Sequence, residues 1–332
     1  MLITAISPCL NEVKYLNKFL DNITCQKLEH ELELIIVDGG STDGSQELLR
    51  KYTSDKFYFK FIAHNEKFVS ISLNKAILES SGSVIVRLDI HTEYDCNYIK
   101  NCVKILQNSS YSCIGGPWRA KSRNFIQKSI RFAFQSKFCS GGALSRDLNY
   151  KGIVDTVYLG CWFKNYLLEI GGFDEKLVRN QDDELCHRIR LNGGIIYQDP
   201  SIISFYYPRS SFQHLFNQYF QYGFWRLTVL QKSHTKFSLR HVFPPLICFS
   251  SLLSFILIIF NIKLFSYVYF TLYFSLVLFS LSKYFLTRNI ILIPFTVFAV
   301  IIMHHAYGLG FLSSFASFYS GYKYKFSEKI TR

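Results

Sequence analysis

Between Asp199 and Glu328 the sequence contains no acidic residue, although 23 of the 24 aspartates and glutamates in this 332-residue chain lie between Glu12 and Asp199. The net charge of +13 therefore belongs mostly to the C-terminal part, where Arg209, Arg226, Lys232, Lys236 and Arg240 have no acidic neighbour in sequence. A stretch of this kind attracts anions such as phospholipid headgroups or diphosphates. Three segments lack formally charged side chains altogether: 242–262, 264–282 and 289–322. The first two match single bilayer spans of about 20 residues, which a soluble nucleic-acid-binding protein does not need, so nucleic acid is excluded as a partner. The third would be about 50 Å long as one helix, and a single span and a re-entrant pair both remain open. Its His304 and His305 are expected at an interface or facing a helix bundle rather than in catalysis.

Other absences narrow the reading further. The nine cysteines form no CxxC pair and their number is odd, so they read as small buried residues and no disulfide framework is expected. No Lys-Ser or Lys-Thr follows Gly44, and no G-x-G-x-x-G is present, which removes the P-loop and the dinucleotide fingerprint. "MLITAISPCLNE" has neither a basic start nor a small-residue cleavage site, so no signal peptide is expected. The basic collar 226–240 beside the first apolar run places the N-terminal part on the cytoplasmic side of a multi-pass inner-membrane protein and favours anionic lipids.

The first 210 residues alternate in period. "LITAIS", "LELIIVD", "KFYFKFIAH" and "VIVRLDIH" read as strands, separated by helical spacing over 11–23, 45–52 and 70–80. Such alternation implies an α/β fold with a mostly parallel sheet, helices on both faces, and a ligand crevice at the carboxyl ends of the strands. Polar residues gather at those ends. Asn11 and Glu12 follow the first strand, and Asp38 closes the second ahead of "GGSTDGS", where Asp43 sits at a helix entrance and the glycines allow close backbone approach. Arg87, Asp89 and His91, two apart, would share one side if the strand continued, giving a cluster suited to an anionic or metal-bound ligand. Ordinary turn chemistry explains any one of these loops, but not the convergence of three. Later, "NQDDEL" opens a helix. Acids in a first turn suit the helix dipole, yet three in a row exceed that need, and one could serve as a general base.

Taken in order, "SPCLNE", "IIVDGGSTDGS", "SLNKAILESSGSVIVRLDIH", "YLGCWFKNYLLEIGGFDE" and "NQDDEL" resemble the family 2 glycosyltransferases of the GT-A fold. "RLDIHTEY", "VDTVYLG", "LVRNQDDEL" and "QYFQYGFWR" are most similar to the branch that builds succinoglycan and other exopolysaccharides. The resemblance covers about residues 3 to 230 and implies a membrane-bound, inverting hexosyltransferase. It would take a nucleotide-sugar, a UDP-sugar by preference, and transfer the sugar to a lipid-linked or polysaccharide acceptor. The non-enzymatic alternative is a degenerate membrane-anchored scaffold that binds nucleotide-sugar without turnover.

The resemblance also implies residue roles. Asp38 would hold the uracil, with Glu12 and Asp43 supporting the nucleoside. Asp89 and His91 stand at the D-x-D position for a divalent metal, and Arg87 would assist at the diphosphate. Asp182 matches the catalytic base, and Gln221, Trp225 and Arg226 loosely resemble the Q-x-x-R-W element that contacts acceptor or diphosphate. His91 in place of the second Asp favours Mn²⁺ over Mg²⁺. Gln181 in place of the usual Glu removes a like charge beside Asp182, which leaves that base less raised in pKa than in relatives. The linear organisation expected is 1–210 catalytic, 211–241 interfacial, 242–322 transmembrane and 323–332 a basic tail.

Overall fold

The structure, a computed structural model, describes residues 1–136, 138, 141–233, 239–285 and 290–320. The basic tail 323–332 and Lys236 of the collar lie outside the described residues. The chain begins β1 (Leu2–Cys9), α1 (Val13–Thr24), β2 (Glu31–Asp38), α2 (Ser45–Lys51), β3 (Tyr58–Ala63), α3 (Val69–Glu79) and β4 (Val84–Arg87). It continues with β5 (Glu93–Tyr94), α4 (Tyr98–Gln107), β6 (Cys113–Gly116), β7 (Trp118–Ala120), α5 (Phe125–Phe134), β8 (Gly152–Ile153) and β9 (Tyr158–Phe163). Next come α6 (Lys164–Glu169), α7 (Gln181–Leu191), β10 (Ile196–Gln198) and β11 (Ser204–Tyr206). The last part is helical: α8 (Phe212–Ser233), α9 (Leu239–Ile259), α10 (Lys263–Phe285) and α11 (Ile293–Ser320).

Contacts divide the chain into two compact units, one of residues 1–119 and 144–206 and one of residues 120–143 and 207–332. The segment 120–143, placed with the catalytic part by linear order, thus packs with the C-terminal helices. The first unit is built on an eight-stranded sheet in the order β3-β2-β1-β4-β9-β6-β10-β8, with a second sheet β5-β11-β7. β3, β2, β1 and β4 run parallel as the alternation implies. β9 is antiparallel to both β4 and β6, which makes the sheet mixed.

Strand alternation supplies two cores. Ile3, Ala5, Leu34, Ile36, Val84 and Val86 face α1 and α4, while Ile6, Ile35, Val37 and Ile85 face α3 and α7. Both sets are fully buried, as expected for strands covered on each side.

In the second unit α9, α10 and α11 contain three helices long and apolar enough to cross a membrane. The third is one uninterrupted helix of 28 residues, about 42 Å at 1.5 Å per residue, rather than a pair. Polar side chains join these helices. Ser251 lies 2.9 Å from His305 Nε2 and 2.8 Å from the Tyr269 hydroxyl, and Tyr273 lies 3.0 Å from His304 Nδ1. The histidine pair therefore faces the bundle, as interhelical hydrogen bonding between apolar helices favours.

The apolar positions of α8 pack along α11, with Leu215, Phe224 and Leu227 buried. The two backbones meet at reciprocal glycines: a Cβ on Gly223 would sit 2.0 Å from Tyr307 O, and one on Gly310 would sit 2.0 Å from Phe220 O. No side chain is available to yield at either point. Gly223→Val is therefore expected to separate the helices at a cost above the roughly 1–3 kcal/mol of ordinary overpacking, read as a lowered melting temperature of the detergent-solubilised protein. An unchanged melting temperature would contradict this close contact.

Candidate active site

Parallel pairing brings the ends of β1, β2 and β4 together, with Cys9 opposite Asp38 and Ile6 opposite Arg87. The loops that follow are laced to one another. Asn11 Oδ1 accepts from Thr42 N at 2.9 Å, Glu12 N donates to Ser45 Oγ at 3.0 Å, and Val13 N donates to Asp43 Oδ2 at 3.0 Å. Hydrogen bonds from Ser45 and from Val13 N–H hold the exposed Asp43 carboxyl below its ordinary value, against the burial that pushes the other way. Gly40 and Gly44 adopt left-handed φ values of 93° and 95°, which let this loop turn tightly. Asn11 is also left-handed at φ 56°, a conformation asparagine tolerates better than most residues.

Asp38 is fully buried, and its Oδ1 accepts from Gly40 N, Ser41 N and Gln46 Nε2 at 2.9, 2.8 and 2.8 Å. The carboxylate is thus occupied in shaping its own loop.

β4 ends at Arg87. Thr92 N then donates to Asp89 O at 3.0 Å and closes a turn, so the alternation expected to align residues 87, 89 and 91 stops before His91. Arg87 and Asp89 do face each other, with Nε 3.2 Å from Oδ1. His91 instead presents Nδ1 to Glu12 Oε1 at 3.5 Å. The Tyr94 hydroxyl fixes the turn by accepting from Asp89 N at 2.7 Å.

The feature that unites the site is the guanidinium of Arg87. Only 4% exposed, it pairs with Asp89 and also with Asp182 at the start of α7, 95 residues away, and lies 5.8 Å over the ring of Phe173. Burial pulls its pKa down, but Asp182 and then Asp89 hold it above the ordinary value. Asp182 keeps 35% of its side chain exposed. Its pKa is raised, first by burial, with Arg87 opposing and Asp89 and Asp183 adding to the rise. Left-handed Asn180 at φ 61° sets the entrance to α7, and Thr156 Oγ1 donates to Asp183 at 3.2 Å.

Phe173 is itself clamped. Asn74 of α3 donates to Phe173 O at 2.8 Å and accepts from Phe173 N at 2.8 Å, which explains why "SLNKAILE" and "GGFDE" occur in one chain. Nothing in the local pattern marks Asn74 for a role, because its partner lies 99 residues away.

The contacts thus run from Asp38 through Ser41 to Asn11, from Asp43 through Ser45 to Glu12 and on to His91, and from Asp89 through Arg87 to Asp182, all within the first unit. Gln221, Trp225 and Arg226 belong to α8 of the second unit, where Gln221 is fully buried. No cluster of three His, Cys, Asp or Glu occurs among the described residues. Asp89 and His91, the residues expected at a divalent metal, offer one carboxylate, paired with Arg87, and one imidazole, whose Nδ1 faces Glu12. The carboxylate of Glu12 behind the imidazole is the arrangement that orients metal-binding histidines.

A mixed sheet of this topology with acids and a buried arginine at one end is the setting in which residues 4–161, a little under half of the chain, match the model of Glycosyl transferase family 2. Among its relatives is the succinoglycan biosynthesis protein ExoA of Rhizobium meliloti (strain 1021), 26% identical over 72% of this chain and 73% of ExoA. Another is a dolichyl N-acetyl-alpha-D-glucosaminyl phosphate 3-beta-D-2,3-diacetamido-2,3-dideoxy-beta-D-glucuronosyltransferase of Methanococcus voltae, 25% identical over 73% of this chain and 77% of the relative. In fold the chain is similar to the mannosyltransferase PcManGT of Pyrobaculum calidifontis, solved with GDP-Man and Mn2+. The TM-score is 0.61 at 14% identity, over 94% of this chain and 86% of that one.

Proposed function

We propose that the protein is a membrane-bound, inverting glycosyltransferase that moves a hexosyl group from a UDP-sugar to a lipid-linked or polysaccharide acceptor in surface-glycan synthesis. The observation that carries this reading is the buried Arg87, which holds the carboxylates of Asp89 and Asp182 at one point beyond the sheet. The relatives' names supply the pathway class, and the three apolar helices with the basic collar support an inner-membrane protein whose catalytic part faces the cytoplasm and anionic lipids.

Asp182 is the base. It takes the proton of the acceptor hydroxyl as the new bond to the anomeric carbon forms. The bond to the diphosphate oxygen breaks on the opposite face, and the electron pair leaves with the nucleoside diphosphate. The partly exposed carboxyl of Asp182, raised first by burial, is a stronger base than an ordinary aspartate and lies open to an acceptor hydroxyl. Arg87 keeps it ionised beforehand and faces the region where negative charge develops. The loop shaped by Asp38 and Asp43 receives the nucleoside. A divalent cation held by Asp89 and His91 would supply positive charge to the leaving diphosphate.

The test is transfer of label from a panel of UDP-sugars into lipid extract by membranes containing the protein. EDTA is expected to abolish transfer, and Mn²⁺ to restore it better than Mg²⁺, with the preference reversing in His91→Asp. Transfer that survives EDTA in full removes the metal, and nucleotide-sugar binding without any transfer favours a scaffold.

A further inference from the structure

Beside the carboxylates lies a group of aromatic side chains that the proposed chemistry leaves unused. Trp118 of β7 and Tyr206 of β11 have ring centroids 5.1 Å apart, and Tyr158 of β9 lies 6.4 Å from Trp118 and 6.3 Å from Tyr206. All three rings are only partly buried, unlike the core aromatics Tyr98, Trp162 and Phe173. The Tyr158 hydroxyl is 2.9 Å from Thr92 Oγ1, and Thr92 closes the turn onto Asp89. Arg146, exposed on a single 3-10 turn, stacks its guanidinium 4.6 Å over the Trp118 ring. No carboxylate pairs with it among the described residues.

The order of strands decides which substrate this group serves. The nucleoside loops follow β1 and β2, Asp89 follows β4, and β9 is the next strand beyond β4, running antiparallel so that Tyr158 lies at the same end of the sheet as Arg87. The aromatic group is therefore across Asp89 from the nucleoside loops. An aromatic face offers an apolar surface to the C–H face of a pyranose, and a guanidinium with no acidic partner offers paired donors to phosphate oxygens. We infer that Trp118, flanked by Tyr158 and Tyr206, is the stacking platform for the acceptor's terminal sugar, and that Arg146 swings from its face to hold the diphosphate linking that sugar to its carrier. This rests on the glycosyltransferase reading and adds the acceptor subsite and its ligand, a glycosyl diphosphate.

The experiment uses the full chain in membranes, the UDP-sugar that wild type accepts, and two synthetic acceptor series: alkyl diphosphate glycosides and the same alkyl glycosides without diphosphate. Trp118→Ala is expected to raise the acceptor KM in both series by about tenfold, and Trp118→Phe to stay within about threefold of wild type. Arg146→Ala raises it only in the diphosphate series, and the UDP-sugar KM stays within about twofold of wild type in all three. A raised UDP-sugar KM with the acceptor KM unchanged would place the platform in the donor pocket and overturn the inference, as would an equal fall of kcat in both series at constant KM. If wild type transfers no sugar at all, it is the function that fails. The platform is then tested by tryptophan fluorescence on titration with octyl diphosphoglucose, where a response equal in wild type and Arg146→Ala overturns it.

Discussion

Asp182→Asn is expected to lower sugar transfer by at least about 10²-fold, the lower end of what a positioned base contributes, with nucleotide-sugar binding unchanged. The amide keeps the shape and can still receive a hydrogen bond from Arg87, so the loss isolates proton removal from packing. Wild-type transfer should also weaken on the acid side at a pH above the range of an ordinary aspartate, because burial raises the Asp182 carboxyl and protonation removes the base. Equal label transfer by wild type and Asp182→Asn over a pH series would eliminate the proposed base.

Arg87→Ala carries the other large effect. Removing one member of a buried ion pair typically costs about 3–5 kcal/mol, because the remaining charges stay desolvated without compensation. Here two carboxylates, Asp89 and Asp182, lose their shared cation at once. Their mutual repulsion, already among the causes that raise Asp182, is then opposed by nothing of comparable size, so Asp182 binds its proton more tightly. The sign follows. The folded state holds more protons than the unfolded chain, so this carboxyl's contribution to stability falls as pH rises through the interval above its unfolded value. Arg87→Ala should melt well below wild type at neutral pH and recover part of the difference in mild acid. Arg87→Lys keeps one charge but cannot reach both carboxylates as a fork, so it should fall between the two. Melting curves of the three proteins in one detergent at two pH values check this, and an Arg87→Ala protein as stable as wild type would remove the central pair.

Much of this arrangement was legible in the chain. β1, β2 and β4 announced themselves as short β-branched runs, and their carboxyl ends as the place where Asn11, Asp38 and Asp89 stop the apolar pattern. The direction of β9 was not legible, because an apolar run carries no sign of whether its neighbour is parallel. The link from Arg87 to Asp182 was hidden for a different reason: a lone arginine in a strand looks the same whether its partner is water or a carboxylate 95 residues away. The expected alignment of Arg87, Asp89 and His91 on one side failed at its last member, because Asp89 both follows a strand and starts a turn. The aromatic platform was invisible because Trp118, Tyr158 and Tyr206 come from three strands with no common spacing.

The excursion of residues 120–143 has a practical bearing. The polypeptide leaves the sheet-containing unit after Arg119, returns at Leu144 and leaves again after Tyr206. A soluble fragment cut at Tyr206 would keep α5 but lose the aromatic partners Phe295 beside Phe125 and Tyr219 beside Phe134. Trimming the hydrophobic end would thus leave a greasy helix without shelter in the middle of the fragment, and solubility would have to be sought by replacing that insertion as well as by shortening the chain.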